Sequence, residues 1–174
     1  MAVRDILQLG NPGLRARCTP VKKFGDPAVS ELLTDLRDTL YNFRSQNGFG
    51  RGIAAPQIGS TLRVIFIDVG TRMEILNPFI VSRSRTMMVL WDDCFSFPTL
   101  LAKVRRNLSI EVRYRDAAGK RQTIRARGAL SELLQHEIDH LDGILAIDRA
   151  VDSKHIIYRS EFERHTGASS PVAM

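Results

Sequence analysis

Gln135-His136-Glu137-Ile138-Asp139-His140-Leu141-Asp142-Gly143 is the stretch from which the rest of the chain is read. As a helix it sets His136 and His140 four residues apart, on one face and about one turn from each other. Two imidazoles at that spacing can bind one metal ion, and Glu137 lies beside them as a candidate general base. This is the H-E-x-x-H pattern of metal-dependent hydrolases. A catalytic site of this kind needs three protein ligands and one position open to water, so the helix is one ligand short. The chain holds 4 histidines and 2 cysteines, which leaves few candidates for the third.

Outward from this stretch, Gly128 breaks the chain before a helix predicted over about 129–142, and Gly143 closes it. Ser109 to Arg115 and Arg121 to Arg127 flank Asp116-Ala117-Ala118-Gly119-Lys120, a hairpin signal. Residues 62–68 are β-branched and aromatic and read as a buried strand, with shorter strands at 73–81 and 86–91. Gly48 to Gly59 is glycine-rich and apolar but lacks the strand-to-helix fingerprint of a phosphate-cradling loop. A helix is predicted from Asp26 as N-cap and Pro27 at the first turn to Asn47-Gly48. Its apolar face, Val29, Leu32, Leu33, Leu36, Leu40 and Phe43, reads as core. Residues 5–21 read as an irregular opening with a turn at Asn11-Pro12-Gly13. An amphipathic helix is predicted over about 152–165, followed by a small, polar, flexible tail over about 167–174. With no internal repeat or linker, the expectation is a single catalytic domain over 1–174 of the α+β class.

The 44% apolar content is that of an ordinary globular protein with a real core. No run of eighteen apolar residues predicts a membrane span, and Met1 to Leu9 does not read as a signal or transit peptide. Two cysteines make no disulfide framework, which fits a reducing compartment. The net charge of +6, with a pI near 9.8, permits weak attraction to polyanions. The basic residues are scattered, without interleaved aromatics, and read as a solvated surface.

For the third ligand, His155 and His165 in the last predicted helix have no acidic or cysteine partner at ligand spacing and read as surface histidines. Cys18 reads as an inert thiol. Cys94, in Trp91-Asp92-Asp93-Cys94-Phe95-Ser96-Phe97-Pro98, is by itself either a small buried hydrophobe or a ligand.

The combination of segments resembles the peptide deformylase family over nearly the whole chain. That family carries a Gly-rich segment ending in Gln, a segment of the type Glu-Gly-Cys-x-Ser, and Gln-His-Glu-x-Asp-His-Leu. Here they stand as Gly50-Arg51-Gly52-Ile53-Ala54-Ala55-Pro56-Gln57, as Asp92-Asp93-Cys94-Phe95-Ser96, and as Gln135 to Leu141. The third is intact, the first nearly so, and the second departs at two positions. The resemblance implies short antiparallel sheets packed around a central metal-binding helix, with an N-terminal and a C-terminal helix.

It also implies that Cys94, His136 and His140 hold one divalent ion, Fe(II) foremost, with Zn, Ni or Co as substitutes. Glu137 would act on bound water. The Gln57 amide and the backbone N–H of Phe95 would meet the oxyanion, and Gly52 would let the substrate backbone approach. The reaction implied is hydrolysis of the N-formyl group from an N-terminal formylmethionyl peptide. The methionine pocket would have Leu90 and Leu133 as walls, with Arg51 and Glu132 where the family often has apolar residues. Peptide beyond the methionine would add to a strand edge. A monomer in a bacterial-type cytoplasm, in transient contact with the ribosome, completes the implied picture, with no membrane partner.

The departures carry expectations of their own. Asp93 stands in place of a glycine whose backbone freedom a tight segment would use, and it adds negative charge near the metal. Asp92 stands in place of a bracing glutamate and is expected to pair with Arg106. Two readings compete with the deformylase. One is a zinc endoprotease, which would need a third ligand downstream of His140. The other is a deformylase-like protein acting on another N-formyl substrate or serving as a non-catalytic module at the ribosome.

Overall fold

The structure is a computed structural model that describes residues 3–168. The helix started by Asp26 and Pro27 forms as α1, Pro27–Asn47: Asp26 accepts from the Ala28 N–H at 2.9 Å, and Gly48 ends the helix at φ 75°. The hairpin forms as β6, Ser109–Arg115, and β7, Arg121–Arg127, in register from Ser109 opposite Arg127 to Arg115 opposite Arg121. The metal-site stretch forms α2, Ala129–Leu141.

Around these elements run β1, Gly52–Ala54; β2, Val64–Asp68; and β3, Arg72–Arg83. Together with the hairpin they make a five-stranded antiparallel sheet in the order β1-β2-β3-β6-β7. Alternation along β2 explains the layering. Ile65 and Ile67 point to one face, where they meet Leu133, Leu134, Ile138 and Leu141 of α2. Val64 and Phe66 point to the other, where they meet Val29, Leu33, Leu36, Leu40 and Phe43 of α1. The sheet is therefore covered by a helix on each face, and β2 is apolar on both sides. A smaller sheet, β4-β5-β8, consists of β4, Met87–Asp93; β5, Leu100–Asn107; and β8, Ile156–Tyr158. The last helix is α3, Arg159–Thr166. Antiparallel sheets and separate helices bear out the α+β class. Among the described residues, no helix is long and apolar enough to cross a membrane.

Three expectations need correction. The helix predicted over 152–165 begins only at Arg159. Before it come a 3-10 turn, Ser153–His155, and β8. Ile156 and Ile157 are β-branched, stiff at χ1 in a helix, and they pair instead with Ala102 and Leu101 on the open edge of β5. Leu100–Asn107, for which the sequence predicts no element, is a strand, and its Arg106 is buried between two carboxylates. Gly52–Ala54 lies inside the glycine-rich segment and is nonetheless a buried strand, held by β2 through Gly52 opposite Ile67 and Ala54 opposite Ile65. The tail expected from Gly167 lies, from residue 169 onward, outside the described residues.

Cys18 is buried under the end of α2, where its backbone N–H donates to the Leu141 carbonyl at 2.9 Å. Burial pushes its thiol up to about 11, against the opposing pull of Arg63. Thiolate is the reactive form, and a raised value keeps the thiol protonated through neutral and mildly alkaline pH. Alkylation at about pH 8 is therefore expected to spare Cys18 in the folded protein and to modify it fully in denaturant. Mass spectrometry of the digested chain reads the difference.

Candidate metal centre

The four-residue spacing on α2 turns both imidazoles inward, and each is buried. The facing Nε2 atoms of His136 and His140 are 3.1 Å apart, and His140 Nε2 lies 3.3 Å from Cys94 Sγ. Cys94 reaches this point because it follows β4 directly and is buried beside Phe97, Leu14 and Leu145. Burial raises its thiol, with the His136 hydrogen bond opposing. A thiolate held there calls for a cation. Ligand atoms on a tetrahedron with bonds of about 2.0–2.3 Å lie roughly 3.3–3.6 Å apart, close to the separations found here. The donor set of one thiolate and two imidazoles thus fits a first-row divalent ion.

Support for the ligands comes from residues around them. His136 Nδ1 donates to Asp92 Oδ1 at 2.9 Å, which directs Nε2 at the centre. Burial alone would lower the proton affinity of His136, but the Asp92 charge and hydrogen bond raise it well above the usual range. Asp92 itself, buried beside His136 and Arg106, is held far below the usual carboxylate range. Arg106 Nη2 donates to Asp92 Oδ2 at 3.1 Å, the pairing expected from the sequence, and Nη1 donates to Asp139. Gln135, directly before His136, fastens the helix: its Oε1 accepts from Asn107 N, and its Nε2 donates to Asn107 O, each at 3.0 Å. Asp92, Glu132 and His136 form a second close group of ligand-type atoms. There Asp92 and His136 are already bonded to each other, so this group supports the first.

Glu137 is buried beside the three ligands. Burial pushes its carboxyl up to about 7, and its Oε2 has no hydrogen-bond partner among the described residues. Gly52 lies against it: a Cβ at that position would stand 2.8 Å from Glu137 Oε1 and 3.2 Å from Ile67 Cγ1. Gln57 is held by its Oε1, which accepts from Ala54 N at 2.9 Å. Its Nε2 is left 3.6 Å from Cys94 Sγ and 3.4 Å from Ser96 Oγ. The Phe95 ring stacks on Phe43 with centroids 3.9 Å apart, which pins the backbone following Cys94.

A family model for polypeptide deformylases matches residues 3–155. The chain belongs to the polypeptide deformylase family. A peptide deformylase of Desulfitobacterium hafniense is 39% identical over 153 residues, 86% of this chain and 96% of that one. One of Pelotomaculum thermopropionicum is 38% identical over 162 residues, 92% of this chain and all of the other. A crystal structure of a peptide deformylase from Legionella pneumophila superposes with a TM-score of 0.81 at 37% identity, covering 88% of this chain and 89% of that chain.

Cys94 and His136 of the centre line a cavity of about 340 Å³ together with Gly50, Arg51, Gly52, Gln57, Phe95, Glu132, Leu133 and Glu137. Of the residues expected at a deformylase site, His140 and Leu90 do not line this cavity; His140 belongs to the centre through Cys94 and His136, whereas Leu90 is away from it. Leu90 is half-buried on β4, four residues before Cys94. At roughly 3.3 Å of rise per residue that puts it about 13 Å back along the strand. The expectations for Asp93 also change. Its backbone is extended at the end of β4, outside the positive-φ region where only glycine is at ease. Its charge is met by Arg159 Nη2 at 2.7 Å. Arg159, which sequence reasoning passed over as a helix residue, also donates through Nε to Pro98 O and lies 4.0 Å over the Phe49 ring. No spacing rule links positions 66 residues apart. Contrary to the expectation of no acidic partner, His155 bonds to Asp152 and His165 lies against Glu161, but among the described residues neither joins His136 and His140 in a group of ligand-type atoms, as a zinc endoprotease would need.

Asp92→Asn keeps the shape but loses the charge that orients His136. Metal affinity is expected to fall roughly 10- to 100-fold, read by competition with a chromophoric chelator.

Proposed function

We propose that the chain is a single catalytic domain that hydrolyses the N-formyl group of formylmethionine at the N-terminus of nascent polypeptides. The products are formate and a free amine. The observation that carries this reading is convergence: Cys94, His136 and His140 hold three ligand atoms together, and Cys94 and His136 share one cavity with the buried Glu137 carboxylate and the Gln57 amide. Cys94, His136 and His140 are read as holding one divalent ion, Fe(II) foremost, with Zn, Ni or Co able to substitute. Once bound, the ion supplies Lewis-acid chemistry and acidifies water.

The remaining work falls to the chain itself. Glu137, raised by burial toward neutrality, accepts a proton as water adds to the formyl carbon. It returns that proton to the amine nitrogen as the C–N bond breaks. The Gln57 amide, its oxygen already occupied by Ala54 N, turns its N–H groups toward the developing oxyanion. The backbone N–H of Phe95 is read as the second donor. Gly52 leaves the space that the formyl group and the Glu137 carboxylate share. Leu133 and the Arg51–Glu132 pair line the part of the cavity assigned to the first side chain. The family likeness further supports a monomer in a bacterial-type cytoplasm that meets its substrate in transient contact with the ribosome.

Formate release from formyl-Met-Ala-Ser by Fe(II)-loaded protein tests the reading. Glu137→Ala is expected to lower turnover by roughly 100- to 10,000-fold with the ion retained. Absence of turnover in the metal-loaded parent protein overturns it. A second expectation concerns Gly52→Ala, whose methyl displaces the base. Turnover falls about 100-fold while metal content and melting temperature hold.

A further inference from the structure

The part of the cavity that the deformylase reading gives to the first side chain is lined by an ion pair. Arg51 Nη2 donates to Glu132 Oε2 at 2.6 Å, and Arg51 Nη1 donates to the Ala129 carbonyl at 3.4 Å. Glu132 is 1% exposed, and its second oxygen, Oε1, has no hydrogen-bond partner among the described residues. Both residues line the same cavity as Gln57, Cys94, His136 and Glu137. Glu132 stands one helical turn before His136, so their Cβ atoms are about 5–6 Å apart.

The chemistry of this wall differs from that of an apolar pocket. Burial and the nearby Asp92 charge raise the Glu132 carboxyl, and the Arg51 guanidinium bonded to Oε2 opposes them; paired with Arg51 as a carboxylate, Glu132 accepts hydrogen bonds and donates none. A buried acceptor left unpaired is unfavourable, and a thioether or alkyl tip leaves it so. A tip that donates a hydrogen bond satisfies it. An ammonium tip would do so too, but it would bring a second cation up to Arg51, which already balances the Glu132 charge. A neutral primary amide meets Oε1 without that repulsion.

We propose that Glu132, steadied by Arg51, makes this site favour N-formyl amines whose first side chain ends in a hydrogen-bond donor of the amide type, ranked above methionine. The proposal rests on the deformylase reading and adds to it a substrate class. Formylmethionyl peptides remain substrates, at lower efficiency.

The test compares kcat/KM for formyl-Gln-Ala-Ser, formyl-Met-Ala-Ser, formyl-norleucyl-Ala-Ser and formyl-Ala-Ala-Ser on the same Fe(II)-loaded protein. Glutamine is expected to exceed methionine and norleucine by roughly tenfold or more. The double variant Arg51→Leu, Glu132→Leu is expected to reverse that order with its metal content unchanged. Methionine equal to or above glutamine in the parent protein overturns the proposal and leaves the deformylase reading standing. So does alanine above both, because the ion pair then selects by size alone. No formate from any of the four peptides overturns both. The parent protein's own ranking decides the matter even if the double variant does not fold.

Discussion

Arg106 lies between two carboxylates, Asp92 of β4 and Asp139 of α2, with only 3% of its surface exposed. Through it the smaller sheet is joined to the metal-site helix. Each carboxylate has a further duty: Asp92 accepts a hydrogen bond from His136 Nδ1, and Asp139 accepts one from Arg149 at 2.8 Å. Removing one partner of such a buried pair typically costs about 3–5 kcal/mol, because the other charge is left uncompensated. Here the loss would also free an imidazole to turn. The charge network that attaches the helix is therefore the same one that aims its ligand.

This accounts for the residues between and beside the histidines. Gln135 takes both backbone groups of Asn107 with its amide, as a neighbouring strand would, and so fixes α2 to the end of β5. Asp139 fixes it through Arg106 one turn later. The helix face opposite these anchors carries Leu134, Ile138 and Leu141 into the core against β2 and β3. Held on both sides, α2 presents His136, Glu137 and His140 from a backbone with little room to shift. Gly52 on β1 then comes so near that no Cβ fits between strand and base.

The chain's end is tied to the same site. Arg159, at the start of α3, meets Asp93 beside the ligand, the Pro98 carbonyl and the Phe49 ring of the glycine-rich segment. An aspartate beside Cys94 would otherwise place an extra negative charge next to the centre. Its partner is the first helical residue after β8, and β8 sits on the edge of β5 at Leu100 to Ala102. The pairing of Ile156 and Ile157 with that edge thus sets where Arg159 stands.

Local order was legible wherever one residue type has a single physical use. Asp26-Pro27 could start α1, Gly48 could end it, the 116–120 turn could close the hairpin, and His136 and His140 could share a helix face, because each rests on neighbours in sequence. The family likeness added Cys94 and Gln57, which spacing by itself left open. What the sequence could not supply depends on partners far along the chain. The second carboxylate on Arg106, Asp139, has no sequence signal beside the expected Asp92, Ile156 and Ile157 read as helix until β5 offers an edge, and Asp93 reads as a burden until Arg159 meets it. Burial of a charge and pairing of an edge strand are decided by which segments meet. Only the tertiary structure brings β4, β5, α2 and the start of α3 to one point.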